Sequence, residues 1–79
     1  MAKHHLVPKS STKALFGKEI RKHRESRGWS QEDLAERAGL HRNYVGGIER
    51  GERNVALENI VKLARALSMK TRDLFDSLP

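Results

Sequence analysis

Arg42, Asn43 and Tyr44 place a guanidinium, a carboxamide and a phenol on three successive positions. An arginine presents two donors in one plane, the arrangement that matches the O6/N7 acceptor pair of a guanine edge. An asparagine both donates and accepts, so it can pair with the N6/N7 edge of adenine or with a phosphate oxygen. A tyrosine can lay its ring on an apolar group such as a thymine methyl while its hydroxyl reaches a backbone. None of these chemistries is specific alone, because a surface arginine is ordinarily a solvated charge and a tyrosine ordinarily part of a core. Their meaning depends on whether one rigid element presents all three at the same end.

Such an element is written around them. Ser30 to Gly51, SQEDLAERAGLHRNYVGGIERG, reads as two short helices joined by a tight corner. Ser30 can cap the first helix by accepting from the Asp33 N–H, and the Asp33 carboxylate can reach back to the Ser30 N–H. Glu32 and Asp33 set negative charge in the first turn, where the helix dipole favours it. Leu34, Ala35 and Ala38 share one narrow apolar face. Gly39 stops that helix, since glycine takes a left-handed backbone without steric cost. His41 to Arg50 forms the second helix, with Val45 and Ile48 turned inward and Gly51 at its end. Two short helices with glycine at the corner form a helix-turn-helix pattern, whose second helix carries Arg42, Asn43 and Tyr44 at its N-terminal end. That end is the one such a unit presents to base edges in the DNA major groove.

Composition bears on the partner. The 79 residues carry a net charge of +6. Residues 1–54 hold 12 Lys/Arg against 7 Asp/Glu, a net of +5, while residues 55–79 hold 4 against 3, a net of +1. The positive excess therefore travels with the helix-turn-helix and the segment before it, which favours a polyanionic partner. A membrane surface fits less well, because the basic residues do not border a broad apolar stripe. With no cysteine, neither a disulfide nor a thiolate metal site is available. No apolar run reaches the roughly 18 residues that span a bilayer and no secretion signal stands at the start, so a cytoplasmic location is expected. Ser30, His41 and the glutamates form no nucleophile elbow, metal triad or phosphate loop. Neither an enzyme, a cofactor nor a small-molecule ligand is expected.

Taken in order, residues 1–11 (MAKHHLVPKSS) show no periodicity and read as a flexible arm. Their His-His-Leu-Val-Pro string resembles part of an expression tag, and the adjacent His4 and His5 make a poor metal site. Lys3 and Lys9 could touch a DNA backbone. Thr12 to Arg27 predicts a first long helix with Leu15 or Phe16, Ile20 and Arg24 on one face, ended by Gly28. Trp29, just before the Ser30 cap, can staple the next helix by packing on a residue such as Leu34. After the polar loop Glu52 to Val55, a helix from Ala56 or Leu57 to Leu67 carries the stripe Leu57, Ile60, Leu63, Ala64 and Leu67, with Ala56 as a weak cap. Thr71 to Leu78 predicts a short last helix with Leu74, Phe75 and Leu78 apolar. The expected architecture is thus a single all-α domain over residues 12–79, a compact domain of five helices around the helix-turn-helix, without strands.

With those residues in view, the chain resembles a known family. Phe16-Gly17, Ile20-Arg21, Arg24, Gly28, Ser30-Gln31-Glu32, Leu34-Ala35, Ala38-Gly39-Leu40, Ile48-Glu49-Arg50-Gly51, Leu57 and Leu63-Ala64-Arg65-Ala66-Leu67 follow the order of the phage-repressor-like (Cro/CI, XRE) helix-turn-helix regulators. The match runs from residue 15 to about 76. The stretch from His41 to Asn54 looks most like the controller proteins of restriction–modification systems. The resemblance implies base contacts from Arg42, Asn43 and Tyr44, with a fourth reading position at Gly47, where glycine offers no side chain. It implies backbone contacts from Gln31, Arg50, Arg53 and Asn54, and a buried ion pair between Arg24 and Glu49. Ala56 departs from the Ser or Thr that relatives often carry, which weakens a helix cap only.

The implied function is sequence-specific transcriptional regulation by a homodimer on a palindromic operator, its two reading helices about 34 Å apart. One domain alone makes few base contacts, so two half-sites are physically motivated. Leu67, Met69, Leu74, Phe75 and Leu78 are the expected dimer interface, and RNA polymerase is a candidate further partner. An antitoxin-type or phage-type repressor that also binds a protein is the alternative.

Overall fold

A computed structural model describes residues 10–79; the expectations for residues 1–9, including His4, His5, Lys3 and Lys9, lie outside it. Helix α1 spans Ser10–Ser26, α2 Gln31–Ala38, α3 Arg42–Glu49 and α4 Leu57–Ala66, and a 3-10 helix follows at Thr71–Phe75. Among the described residues there is no strand. The expected count of five α-helices is therefore corrected to four plus one 3-10 turn. The physical reason lies in the last segment. Lys70 precedes it without a side-chain cap, and only five residues separate that position from Asp76. So short a segment cannot offset the cost of nucleating an α-helix, and the tighter turn is the usual form at this length. The first helix also starts two residues earlier than its sequence pattern predicts.

Phe16 and Ile20 from α1, Leu34, Ala35 and Ala38 from α2, Val45 and Ile48 from α3, and Leu63, Ala64, Leu67 and Leu74 beyond them form one buried cluster. Two residues expected at a dimer interface belong to it. Leu67 and Leu74 are 0% exposed, so they close the interior of the single chain and have no surface left for a second copy. Met69, Phe75 and Leu78 pack against the same cluster but remain partly exposed. Leu57, predicted on the inward stripe of α4, is 70% exposed. It stands at the first residue of the helix, beyond the reach of the cluster centred on Leu63 and Leu67.

Helix α1 crosses α3 at Gly17, where an added Cβ would collide with the carbonyl oxygens of Ile48 and Glu49. Backbone meets backbone there, which fixes the height of α3 above the core.

All four α-helices end alike. Beyond each one a left-handed residue, with Gly28 at φ 71°, Gly39 at 71°, Gly51 at 77° and Ser68 at 57°, lets the next N–H turn back onto the helix. Trp29 donates to Arg24 O, Leu40 to Ala35 O, Glu52 to Gly47 O and Met69 to Ala64 O, as in a Schellman cap. Ser68 alone carries a Cβ in that conformation, at a steric cost of about 1 kcal/mol. Ser68→Gly should therefore raise the unfolding free energy by up to about 0.5–1 kcal/mol, part of the gain being offset by the freer unfolded chain. A chemical denaturation curve with an unchanged or lower midpoint would contradict the strain at Ser68.

Candidate nucleic-acid interface

Helix α2 is fixed by its cap and leads through the corner at Gly39 into α3. Ser30 Oγ accepts from the Asp33 N–H at 3.0 Å, and the Ser30 N–H donates to Asp33 Oδ2 at 2.9 Å. Both halves of the reciprocal cap are made. The bond from the Ser30 N–H, followed by the Ser30 hydroxyl, holds the Asp33 carboxyl below its ordinary value.

Two other carboxylates are also depressed. Burial pushes Glu19 up, but hydrogen bonds from Lys22 and His23 outweigh it and leave the group lowered. Arg50 lowers Glu52 through a direct hydrogen bond. Each depressed carboxylate contributes stability that is present above its unfolded value of 3.8 for Asp or 4.5 for Glu and is lost as pH falls through the folded value. Melting temperature should hold from neutral pH down to about pH 4.5 and fall below it. Asp33→Asn should make that fall shallower; an acid profile as steep as that of the unchanged chain would remove Asp33 from the account.

The ion pair that joins the elements is buried. Arg24 is 9% exposed; its Nε donates to Glu49 Oε2 at 2.7 Å and its Nη2 to Glu49 Oε1 at 2.9 Å. Its Nη1 donates to the Trp29 carbonyl at 2.7 Å. The Glu49 carboxylate raises the Arg24 pKa further above its ordinary value. Glu49 Oε1 also accepts from Gln31 Nε2 at 3.0 Å. One carboxylate thus ties α1, the start of α2 and the end of α3 together. No buried side-chain nitrogen or oxygen among the described residues lacks a partner, so the network is fully satisfied, the condition under which a buried polar cluster rigidifies a fold.

On α3, Arg42 and Asn43 are exposed and Tyr44 is half-buried. His41 precedes them as a cap residue without a side-chain bond. Among the described residues, neither Arg42 nor Asn43 takes part in a side-chain hydrogen bond or ion pair within the chain. Tyr44 differs from them: its ring packs against the core and its hydroxyl accepts from Asn59 Nδ2 at 3.1 Å. Asn59 lies on α4 and was not anticipated from the sequence, where it follows Glu58 as the second of two polar residues between Leu57 and Ile60.

Helical spacing puts Gly46 one turn beyond Arg42 and Gly47 one turn beyond Asn43. Both glycines are covered by side chains from elsewhere. A Cβ on Gly46 would stand 3.0 Å from Arg50 Nη1 and 3.2 Å from Gln31 Oε1. A Cβ on Gly47 would stand 3.0 Å from both Cγ and Nε of Arg53. The Arg53 guanidinium carbon lies 5.5 Å from the centre of the Tyr44 ring. The predicted residues Gln31, Arg50 and Arg53 therefore converge on the middle of α3, and Arg42 and Asn43 stand at its start. Asn54 is exposed in the loop next to Arg53. Arg50 also pairs with Glu52 at 3.0 Å, both ends about 59% exposed, a contact of little energetic weight.

This geometry has counterparts. The helix-turn-helix family pattern matches residues 20–74, more than half of the chain. The chain belongs to the helix-turn-helix family. Control protein C.BamHI of Bacillus amyloliquefaciens is 46% identical over 68 residues, covering 85% of this chain and 84% of that protein. The crystal structure of the restriction–modification controller protein C.AhdI from Aeromonas hydrophila superposes with a TM-score of 0.79 at 54% identity, over 80% of this chain and 96% of that one. The biofilm regulator SinR, solved in complex with DNA, matches with a TM-score of 0.73 at 31% identity, over 77% and 98% of the two chains. This helix-turn-helix protein is thus a DNA-binding transcriptional regulator homologous to the controller proteins, a family of regulators and not of enzymes. Among its described residues no helix is long and apolar enough to cross a membrane.

Proposed function

We propose that this regulator is the controller protein of a restriction–modification system and acts as a homodimer on an operator with imperfect two-fold symmetry. The observation that carries the reading is the start of α3: Arg42 and Asn43 are exposed side by side, uncommitted within the chain, on the helix end that this fold offers to a major groove. Arg42 takes a guanine through its two-donor edge and Asn43 an adjacent base. Arg53, which the resemblance implies as a backbone contact, rests over Gly47 and in this reading instead extends the reading edge by one turn, in place of the side chain that glycine lacks. Tyr44 supports that edge with its ring. Gln31, Arg50 and Asn54 hold phosphates, which set register without reading sequence.

Met69, Phe75 and Leu78 retain partly exposed apolar surface near the C-terminal end and serve as the contact between two copies. Binding to the operator then regulates transcription by blocking RNA polymerase or by touching it.

Selection of binding sites from random duplexes tests the reading. The expected product is a two-fold repeat with half-site centres about 10 base pairs, or a multiple, apart, bound by two chains per site in sedimentation. A selected site without symmetry, bound by one chain, would refute the dimer; no enrichment of any sequence would refute the whole reading.

A further inference from the structure

Arg53, a loop residue, is seated against α3. Three elements build the seat. Gly47 supplies the floor, since any larger residue would intrude on the Arg53 stem at Cγ and Nε. Tyr44, three residues earlier on the same helix, supplies a ring under the guanidinium at a separation suited to a cation–π contact. Asn59, from α4, supplies the bond that fixes the Tyr44 hydroxyl. Arg53 itself is exposed and makes no ion pair among the described residues, so its donors remain available while its stem is held.

An arginine on a free loop would lose much side-chain rotational freedom on binding a base. One already laid along α3 has lost part of it beforehand, the general advantage of preorganisation. A helix glycine costs about 1 kcal/mol relative to alanine, so Gly47 would be a poor choice for stability alone.

Resting on the assignment of Arg53 to the reading edge, we propose that Gly47, Tyr44 and Asn59 form a cradle that delivers the Arg53 guanidinium to a base pair. Gly47 and Asn59 are then positioning residues for sequence discrimination, although neither touches DNA through a side chain of its own.

The experiment uses the full chain and the selected operator, with each base pair changed in turn. Arg53→Ala identifies the pair whose discrimination depends on Arg53. At that pair, Gly47→Ala and Asn59→Leu should each lose roughly tenfold in discrimination, the scale of one weakened base contact. Discrimination at the pair read by Arg42 should stay as it was. Gly47→Ala should stay folded at the assay temperature, the better helix propensity of alanine offsetting the displaced Arg53 stem. Asn59→Leu placed on a Tyr44→Phe background should add nothing further, because the bond it removes is already gone.

Full discrimination in both variants overturns the cradle, as does an equal loss at every base pair. If Arg53→Ala weakens binding to all sequences alike and lowers the salt slope by about one, Arg53 is a phosphate contact; the cradle then falls while the controller reading stands. An unchanged chain that selects no sequence would bring down both.

Discussion

Glu49→Ala is expected to lower the unfolding free energy by about 3–5 kcal/mol, the typical result of removing one partner from a buried ion pair. A chain of 79 residues has a total stability of only about 5–12 kcal/mol, so this substitution should remove a large share of it and lower the melting temperature markedly. Arg24, 9% exposed, would keep its charge with two of its three bonds gone. Gln31 would lose its acceptor as well, so whatever protein remains folded should hold the backbone of DNA less firmly. Replacing both partners by apolar residues, as in Arg24→Met with Glu49→Leu, should cost less than either single change, since no unpaired charge is left inside. Denaturant titration of the unchanged chain, Glu49→Ala, Arg24→Met, Glu49→Leu and the double substitution decides the matter. A double substitution as damaging as the sum of the singles would show that Arg24 and Glu49 do not act as a pair.

The second large effect concerns binding. Arg42→Ala removes a two-donor contact worth about 1–3 kcal/mol at each base it reads. In the proposed dimer the loss occurs twice, so affinity for the selected operator should fall by roughly 30-fold to 10⁴-fold. Affinity for unrelated DNA should fall far less, because that binding comes from phosphate neutralisation summed over many cations. Arg42→Lys should not restore the operator, as an ammonium cannot reproduce the planar pair of donors. Titration of the operator and of a scrambled duplex at one fixed salt concentration separates these terms. An Arg42→Ala protein that binds the operator as tightly as the unchanged chain would remove Arg42 from the reading edge.

Much of this could be read in the residues alone. The reciprocal cap of Ser30 and Asp33, the stop at Gly39 and the inward faces of α2 and α3 are local features, set by side chains within four residues of one another. Local hydrogen bonding and helical spacing decide such features before any tertiary contact forms, so sequence types suffice. The exposed pair Arg42 and Asn43 was legible for the same reason: both stand at a helix end whose direction the corner dictates.

The tertiary structure decided what depends on residues far apart in the chain. Leu67, Leu74 and Phe75 looked alike as apolar residues near the C-terminus, yet two are sealed in the core and the third is only partly buried. Apolar character shows that a side chain prefers to leave water, not which surface will cover it. The last segment has an α-helical pattern but folds as a 3-10 turn, because it is uncapped and too short to offset the cost of nucleating an α-helix. Gly47 lacked a side chain where one was expected, and only the fold showed Arg53 lying over it, with Tyr44 beneath and Asn59 behind. The types and spacing of residues in this chain determined a helix-turn-helix with Arg42 and Asn43 at the start of its second helix. The tertiary structure alone brought Arg53 of the following loop over Gly47 and Asn59 of α4 to the Tyr44 hydroxyl, through contacts that no periodicity within a single helix encodes.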